Sequence, residues 1–382
     1  MFSGIGYITG RLREAKKLTE GRLKEAGRLM EMSHLPVKRV DEVSETLREP
    51  GIITGYRNEN CSVLQAMVSL FNYNNETVNF WTHFFAFLYF LWLLISFSTI
   101  MPLFDDEYYY PLTCYLFASC AYPLMSCLAH AFSCLSLTAL HICYFIDYAA
   151  ISMYTWSVAV IYYFYSFPMH LMGTWYSQVF LPVAVLNSLL ATFCASSSRF
   201  FKTSGIQKVL RIVAFVLPFV WDSAPLIIRL YNCDYENDSC ADSGIYHIHQ
   251  FLCVGVAFFF YGSHLPERIA PGCFDYVGHS HNLLHVFSIL ATNEQMRAII
   301  IDLQLQQDKL QNLQWMPTST WSTIASPLVF LLNILLVLIL AYSLFNHRHC
   351  CKQPSINCVS RSIMPKSTVQ VKTDGIEAKK NK

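Results

Sequence analysis

The chain has 382 residues, of which 54% are hydrophobic and only 14% charged, with 27 Lys and Arg against 26 Asp and Glu. Soluble domains carry about 25% charged residues. Here the apolar excess sits in long runs, which excludes an ordinary soluble domain and predicts an all-α polytopic membrane protein. A net charge of +1 says little about partners, and no nucleic-acid partner is expected.

Residues 1–34 form a basic extension with an internal repeat. GRLREAKKL (Gly10–Leu18) returns eleven residues later as GRLKEAGRL (Gly21–Leu29). An eleven-residue period holds its phase on an α-helix. Leu12, Leu18, Leu23 and Leu29 fall on one side, and Arg13, Lys17, Lys24 and Arg28 on the other. The pattern reads as an amphipathic helix on an anionic inner leaflet, with a solvated or coiled-coil extension as the alternative. The N-terminus has no apolar signal core, so the first span is expected to direct insertion. Residues 35–77 are a polar cytoplasmic lead-in: PGIITGYR (Pro50–Arg57) carries turn signals, and NNETVNFWTHF (Asn74–Phe84) runs into the first apolar stretch.

Residues 78–345 are expected to form a bundle of eight helices. The spans run Val78–Met101, Pro111–Cys134, Cys143–Phe167, Trp175–Ser196, Val209–Tyr231, Ile248–His264, His279–Ile301 and Ile324–Phe345. All approach the length an α-helix needs to cross the hydrocarbon core, and the sixth is the shortest. Lys and Arg set the orientation. Residues 1–77 carry eleven of them and the tail 346–382 carries eight, while the first loop has Asp105, Asp106 and Glu107 and no base. The fourth loop is basic (Arg199, Lys202, Lys208, Arg211) and the fifth acidic (Asp234, Glu236, Asp238, Asp242). Both termini are therefore expected in the cytoplasm. In the outward-facing fifth loop Asn237-Asp238-Ser239 is a glycosylation pattern, and Cys233 and Cys240 flank it at a spacing that allows a disulfide. Cys350 and Cys351 lie just past the last span, a setting for palmitoylation or for plain free thiols.

The most informative stretch is GHSHNLLH (Gly278–His285). His281 and His285 are four residues apart and share a helix face, a spacing that suits one metal ion. With the orientation above, His130 falls near the inner end of span two, Asp147 near that of span three, and His281 and His285 near that of span seven. Ser126 lies one turn before His130. Four ionisable groups thus reach one depth in the membrane, where such groups are costly and need partners. Three imidazoles with an open position suit catalytic zinc, with Asp147 orienting or deprotonating a water or holding an imidazole tautomer. The alternative is a metal-free hydrogen-bond network in which His279 and His141 are interchangeable parts.

SCLAH (Ser126–His130), FIDYAAIS (Phe145–Ser152), LPERIAPGCFDYVGHSHNLLH (Leu265–His285) and NETVNFWTH (Asn75–His83) together resemble the progestin and adipoQ receptor family over roughly residues 35–345. The eighth span, HICYFIDY (His141–Tyr148) and WDSAP (Trp221–Pro225) are similar to its membrane progestin receptor branch, nearest the gamma type. The resemblance implies a seven-helix zinc-binding core plus an eighth C-terminal transmembrane helix. It implies Zn2+ on His130, His281 and His285, with Ser126 and Asp147 as polar neighbours.

Two functions follow as expectations. In the first, a plasma-membrane receptor binds a steroid of progestin type among membrane lipids and signals rapidly through a heterotrimeric G protein; Asp222, Asn187 and Gln250 are candidate polar contacts that also read as interhelical hydrogen-bond partners. The alternative is a zinc-dependent intramembrane lipid amidase of ceramidase type, with Asp147 and Ser126 in its catalytic machinery.

Overall fold

The structure, a computed structural model, describes residues 36–201, 204–233, 240–311 and 320–352. It divides into two units, Met1–Ala341 and Tyr342–Lys382. Every long element among the described residues is helical. A short helix, α1 (Val63–Ser69), precedes α2 (Thr77–Ile100), α3 (Tyr110–Phe132), α4 (Leu137–Ile161), α5 (Trp175–Ser197), α6 (Ser204–Tyr231), α7 (Cys240–Ser263), α8 (Ser280–Gln311) and α9 (Ser326–Lys352).

Seven helical segments among the described residues are long and apolar enough to cross a membrane, and the last of them is the C-terminal Thr320–Asn346. The sequence-predicted seventh span, α8, is not among the seven. It runs ten residues past its expected end, to Gln311, and carries His281, His285, Glu294, Gln295, Arg297 and Asp302. A helix this polar needs protein partners in a membrane. α8 has them: it packs along α7 and also on α2. The sixth predicted span also proves longer than expected, because α7 starts at Cys240 rather than near Ile248.

Consecutive helices α2 to α6 pack on their neighbours. The largest apolar cluster joins α2, α3, α4 and α8 through Phe90, Tyr115, Trp156 and Ile299, all buried. Small residues line the inner face of α5. There Thr192 donates to Asn333 Oδ1 of α9 at 2.5 Å, and Asn333 Nδ2 donates to Ser188 Oγ at 3.3 Å. Val337 and Leu340 add apolar contact with Phe145 and Ala149 of α4. The first turns of α9 therefore dock on the bundle by the small-residue and polar contacts that join helices in lipid.

Near the far end of α8, Asp302 accepts both guanidinium arms of Arg229, at 2.6 and 2.7 Å, and lies 3.0 Å from His247 Nε2. Ser166 donates to the same carboxylate at 2.5 Å. Inward from this pair, the Tyr162 hydroxyl donates to Gln250 and accepts from Gln295, whose Oε1 accepts from Tyr154 and Tyr115. Gln250 is thus an interhelical partner, one of the two roles expected of it. From His281 to Asp302 the rise along a helix is about 31 Å, close to the thickness of the hydrocarbon core.

Two loops fix the other end. Asp275 accepts from Ile53 N, Thr54 N and Thr54 Oγ1 at 2.7 to 2.9 Å, so the 265–279 segment clasps the lead-in. Gly51 permits that clasp. Its φ is +83°, and a Cβ there would stand 2.5 Å from Glu267 O.

Candidate metal centre

His130 ends α3, while His281 and His285 lie in the first two turns of α8. One ligand nitrogen from each comes within 4.8 Å of the others. The start of α8 is held in place: Glu267 accepts from Ser280 N at 2.7 Å, placing a carboxylate at a helix N-terminus, and Gly278 N donates to Asn282 Oδ1 at 2.8 Å. Asn282 then donates to Asn79 Oδ1 of α2 at 2.6 Å.

The partners of the rings fix their tautomers. His130 Nδ1 lies 2.6 Å from Glu76 Oε2, and His285 Nδ1 lies 3.1 Å from Asn79 O. A carboxylate or a carbonyl only accepts, so both Nδ1 atoms carry the proton. Both Nε2 lone pairs are left for a ligand. His281 Nε2 stands 3.3 Å from His130 Nε2. In a tetrahedral site with nitrogens ~2.0–2.1 Å from zinc, neighbouring nitrogens stand about 3.3–3.4 Å apart. The donor set and this spacing fit a metal ion with an open position.

The carboxylates around the site differ in support. Glu76, just before α2, also accepts from Asn79 Nδ2 at 2.9 Å. Burial alone would raise its pKa, but His130, Arg57 and the Asn79 hydrogen bond hold it well below the usual carboxylate range. Asp147 on α4 is buried and has no hydrogen-bond partner on Oδ1. A buried acceptor without a partner is costly. Ser126 is buried on α3, one turn before His130.

Arg57 ties the lead-in to this end of α3. Its guanidinium donates to the carbonyls of His130 and Ala131, at 2.5 and 3.0 Å, and to Ser133 Oγ at 3.0 Å. A cation there complements the helix C-terminus.

His279 and His141 fall outside the cluster. The ring of His279 meets Asn75 O at 3.3 Å, and His141 Nδ1 accepts from Arg199 at 3.2 Å. Neither substitutes for a member of the set. His83 and Glu76, which the sequence reading assigned no role, both join the site. His83 stacks flat on His285. Glu76, Asn79 and His83 recur at the i, i+3, i+7 spacing of one helix face where the polar lead-in enters the first apolar run, and that periodicity was the available signal.

Cys233 and Cys240 are joined by a disulfide between α6 and α7. Asn237 and the N-terminal repeat lie outside the described residues, as do the side chains of Cys350 and Cys351.

The haemolysin-III related family matches residues 71–296, a stretch that takes in His83, His130, Asp147, His281 and His285. Membrane progestin receptor gamma of Mus musculus is 40% identical over 274 residues, covering 71% of this chain and 83% of the relative. Membrane progestin receptor gamma-B of Danio rerio is 37% identical over 325 residues, covering 81% and 93%. Membrane progestin receptor delta of Homo sapiens is 40% identical over 269 residues, covering 69% and 78%.

Proposed function

Because the chain belongs to the haemolysin-III related family, in its membrane progestin receptor branch, we propose that it is a plasma-membrane receptor for a steroid of progestin type. Both termini lie in the cytoplasm in this reading, and the inner loops act on a heterotrimeric G protein. The observation that carries the reading is identity of 37–40% with receptors so named, over most of both chains. The lipid amidase is not favoured, since these relatives are named as receptors.

We assign Zn2+ to His130, His281 and His285. Zinc, when bound, supplies a Lewis-acid centre and a fixed joint between α3 and α8. Glu76 and Asn79 hold the two ring tautomers that such a joint needs.

A steroid is an apolar body with a few polar groups, and it needs a bundle interior with matching partners. Asp222 Oδ1 of α6 and the Tyr176 hydroxyl of α5 are both buried without a hydrogen-bond partner. Tyr176 packs against Trp221, next to Asp222, with ring centroids 5.6 Å apart. This pair is our candidate for the polar contact to the ligand.

The test is saturable progesterone binding to membranes of cells that lack nuclear progesterone receptors, with and without the chain at confirmed surface abundance. Specific, displaceable binding is expected. Its absence from folded, surface-exposed protein would overturn the reading.

A further inference from the structure

Two cysteines 73 residues apart meet where the lead-in crosses the end of α3. Cys61 Sγ lies 2.8 Å from Cys134 Sγ. Cys61 N donates to Cys134 O at 3.3 Å, so the backbones are paired as well as the side chains. Arg57, four residues before Cys61, holds the carbonyls of His130 and Ala131, and Cys134 follows His130 by one turn's worth of chain. Both cysteines are free thiols. They line a cavity of about 240 Å³ that is also bounded by Arg57, Asn60 and Asn72. The Asn72 Nδ2 group is buried there without a partner. The cavity gives a small polar oxidant a route to a pair that is otherwise shielded.

At the opposite end of α6 and α7 stands the Cys233–Cys240 disulfide. A pair on the cytoplasmic side is kept reduced at rest, so a bond formed there is transient and regulatory rather than structural. The two thiols are also unequal. The hydrogen bond from Cys61, helped by the charge of Arg57, lowers the Cys134 thiol to about 7 against the cost of burial. The same hydrogen bond, with burial, raises Cys61. Cys134 is therefore the attacking sulfur and Cys61 the resolving one.

We propose that Cys61 and Cys134 form a reversible dithiol–disulfide site, oxidised by hydrogen peroxide, that fastens the lead-in covalently to the end of the metal-bearing helix α3. The Cys134 thiolate attacks one peroxide oxygen. The O–O bond breaks, the leaving hydroxide takes a proton to become water, and Cys134 becomes a sulfenic acid. The Cys61 sulfur then attacks the Cys134 sulfur. The S–O bond breaks, and the hydroxide leaves as water with the Cys61 proton. Two thiols and one peroxide give one disulfide and two waters, with two electrons passing from sulfur to oxygen. Two equivalents of a thiol such as glutathione reverse the bond by exchange and leave as glutathione disulfide.

The test uses the full chain in cell membranes. Samples with and without hydrogen peroxide are alkylated with N-ethylmaleimide, digested with chymotrypsin and read by mass spectrometry. A linked Cys61–Cys134 peptide is expected after peroxide, lost on treatment with dithiothreitol and absent from Cys61→Ser. In that variant, dimedone is expected to trap Cys134 as the sulfenic acid. Recovery of both cysteines fully alkylated after peroxide, with the Cys233–Cys240 link intact in the same wild-type sample, would overturn the proposal.

Discussion

His83 lies flat against His285, with ring centroids 3.6 Å apart and planes within 3° of parallel. Neither nitrogen of His83 has a hydrogen-bond partner. The contact restrains the plane of a metal-ligand candidate from outside the ligand set. His83→Phe keeps a flat ring in the stack and should leave zinc affinity near that of the unaltered chain. His83→Ala removes the ring and should weaken zinc binding by about tenfold, the low end of what a lost supporting contact costs a metal site. Competition with a chelator measures both, and equal affinities for the two variants would refute the stacking role.

The ligand assignment itself is tested by composition. The double variant His281→Ala, His285→Ala should lose its metal when purified in detergent, as measured by elemental mass spectrometry. Glu76→Gln keeps an acceptor for His130 Nδ1 and should retain the ion with affinity about 10- to 100-fold weaker. Unchanged metal content in the double variant would refute the site.

The Arg229–Asp302 pair makes a separate prediction about stability. Asp302 is fully buried, and Arg229 is nearly so. Asp302→Asn leaves the guanidinium without its counter-charge and should cost about 3–5 kcal/mol. A chain with Arg229→Met as well should recover part of that loss. Thermal unfolding in detergent reports both, and an unchanged melting temperature for Asp302→Asn would show that the pair carries no stability.

Asp222 separates ligand binding from metal binding. Asp222→Ala removes one unpartnered polar group and creates no orphan. It should lower steroid affinity about tenfold, the ~1.4 kcal/mol of one hydrogen bond, and leave metal content unchanged. Steroid affinity equal to that of the unaltered chain would remove Asp222 from the ligand contact.

The pH dependence of Cys134 has a definite sign. Its thiol lies at about 7, and the thiolate is the reactive form. Alkylation should therefore be slow below that value, rise about tenfold between about pH 6 and about pH 8, and then level off. Cys61→Ala removes the hydrogen bond and should move the rise to higher pH. A rate still climbing steeply above about pH 8, as for an ordinary thiol, would contradict the arrangement.

Much of the site is legible in the residues because its members break a strong pattern. His130, His281 and His285 stand in or beside long apolar runs, and the Lys and Arg asymmetry brings them to one depth. Glu76 was harder to read because it sits in a polar approach to α2, where a carboxylate needs no explanation. Its partner is 54 residues away. α8 was misjudged in length because hydropathy reports contact with lipid, and this helix faces protein along α7 and α2. Arg229 and Asp302 gave no local signal either, since they sit on two separate helices and only packing brings them together.

The guanidinium of Arg57 gives the three-histidine cluster a handle in the lead-in. It grips the carbonyl of His130 itself, while Thr54, three residues away, is gripped by Asp275 in the loop that leads into α8. The lead-in thus bridges the two helices that carry the three imidazoles. A partner that pulled on this strand would load both helices at once, and a change in the spacing of the imidazoles would shift the strand in return. The molecule thus has a mechanical linkage between its lead-in and the helices that carry the three histidines.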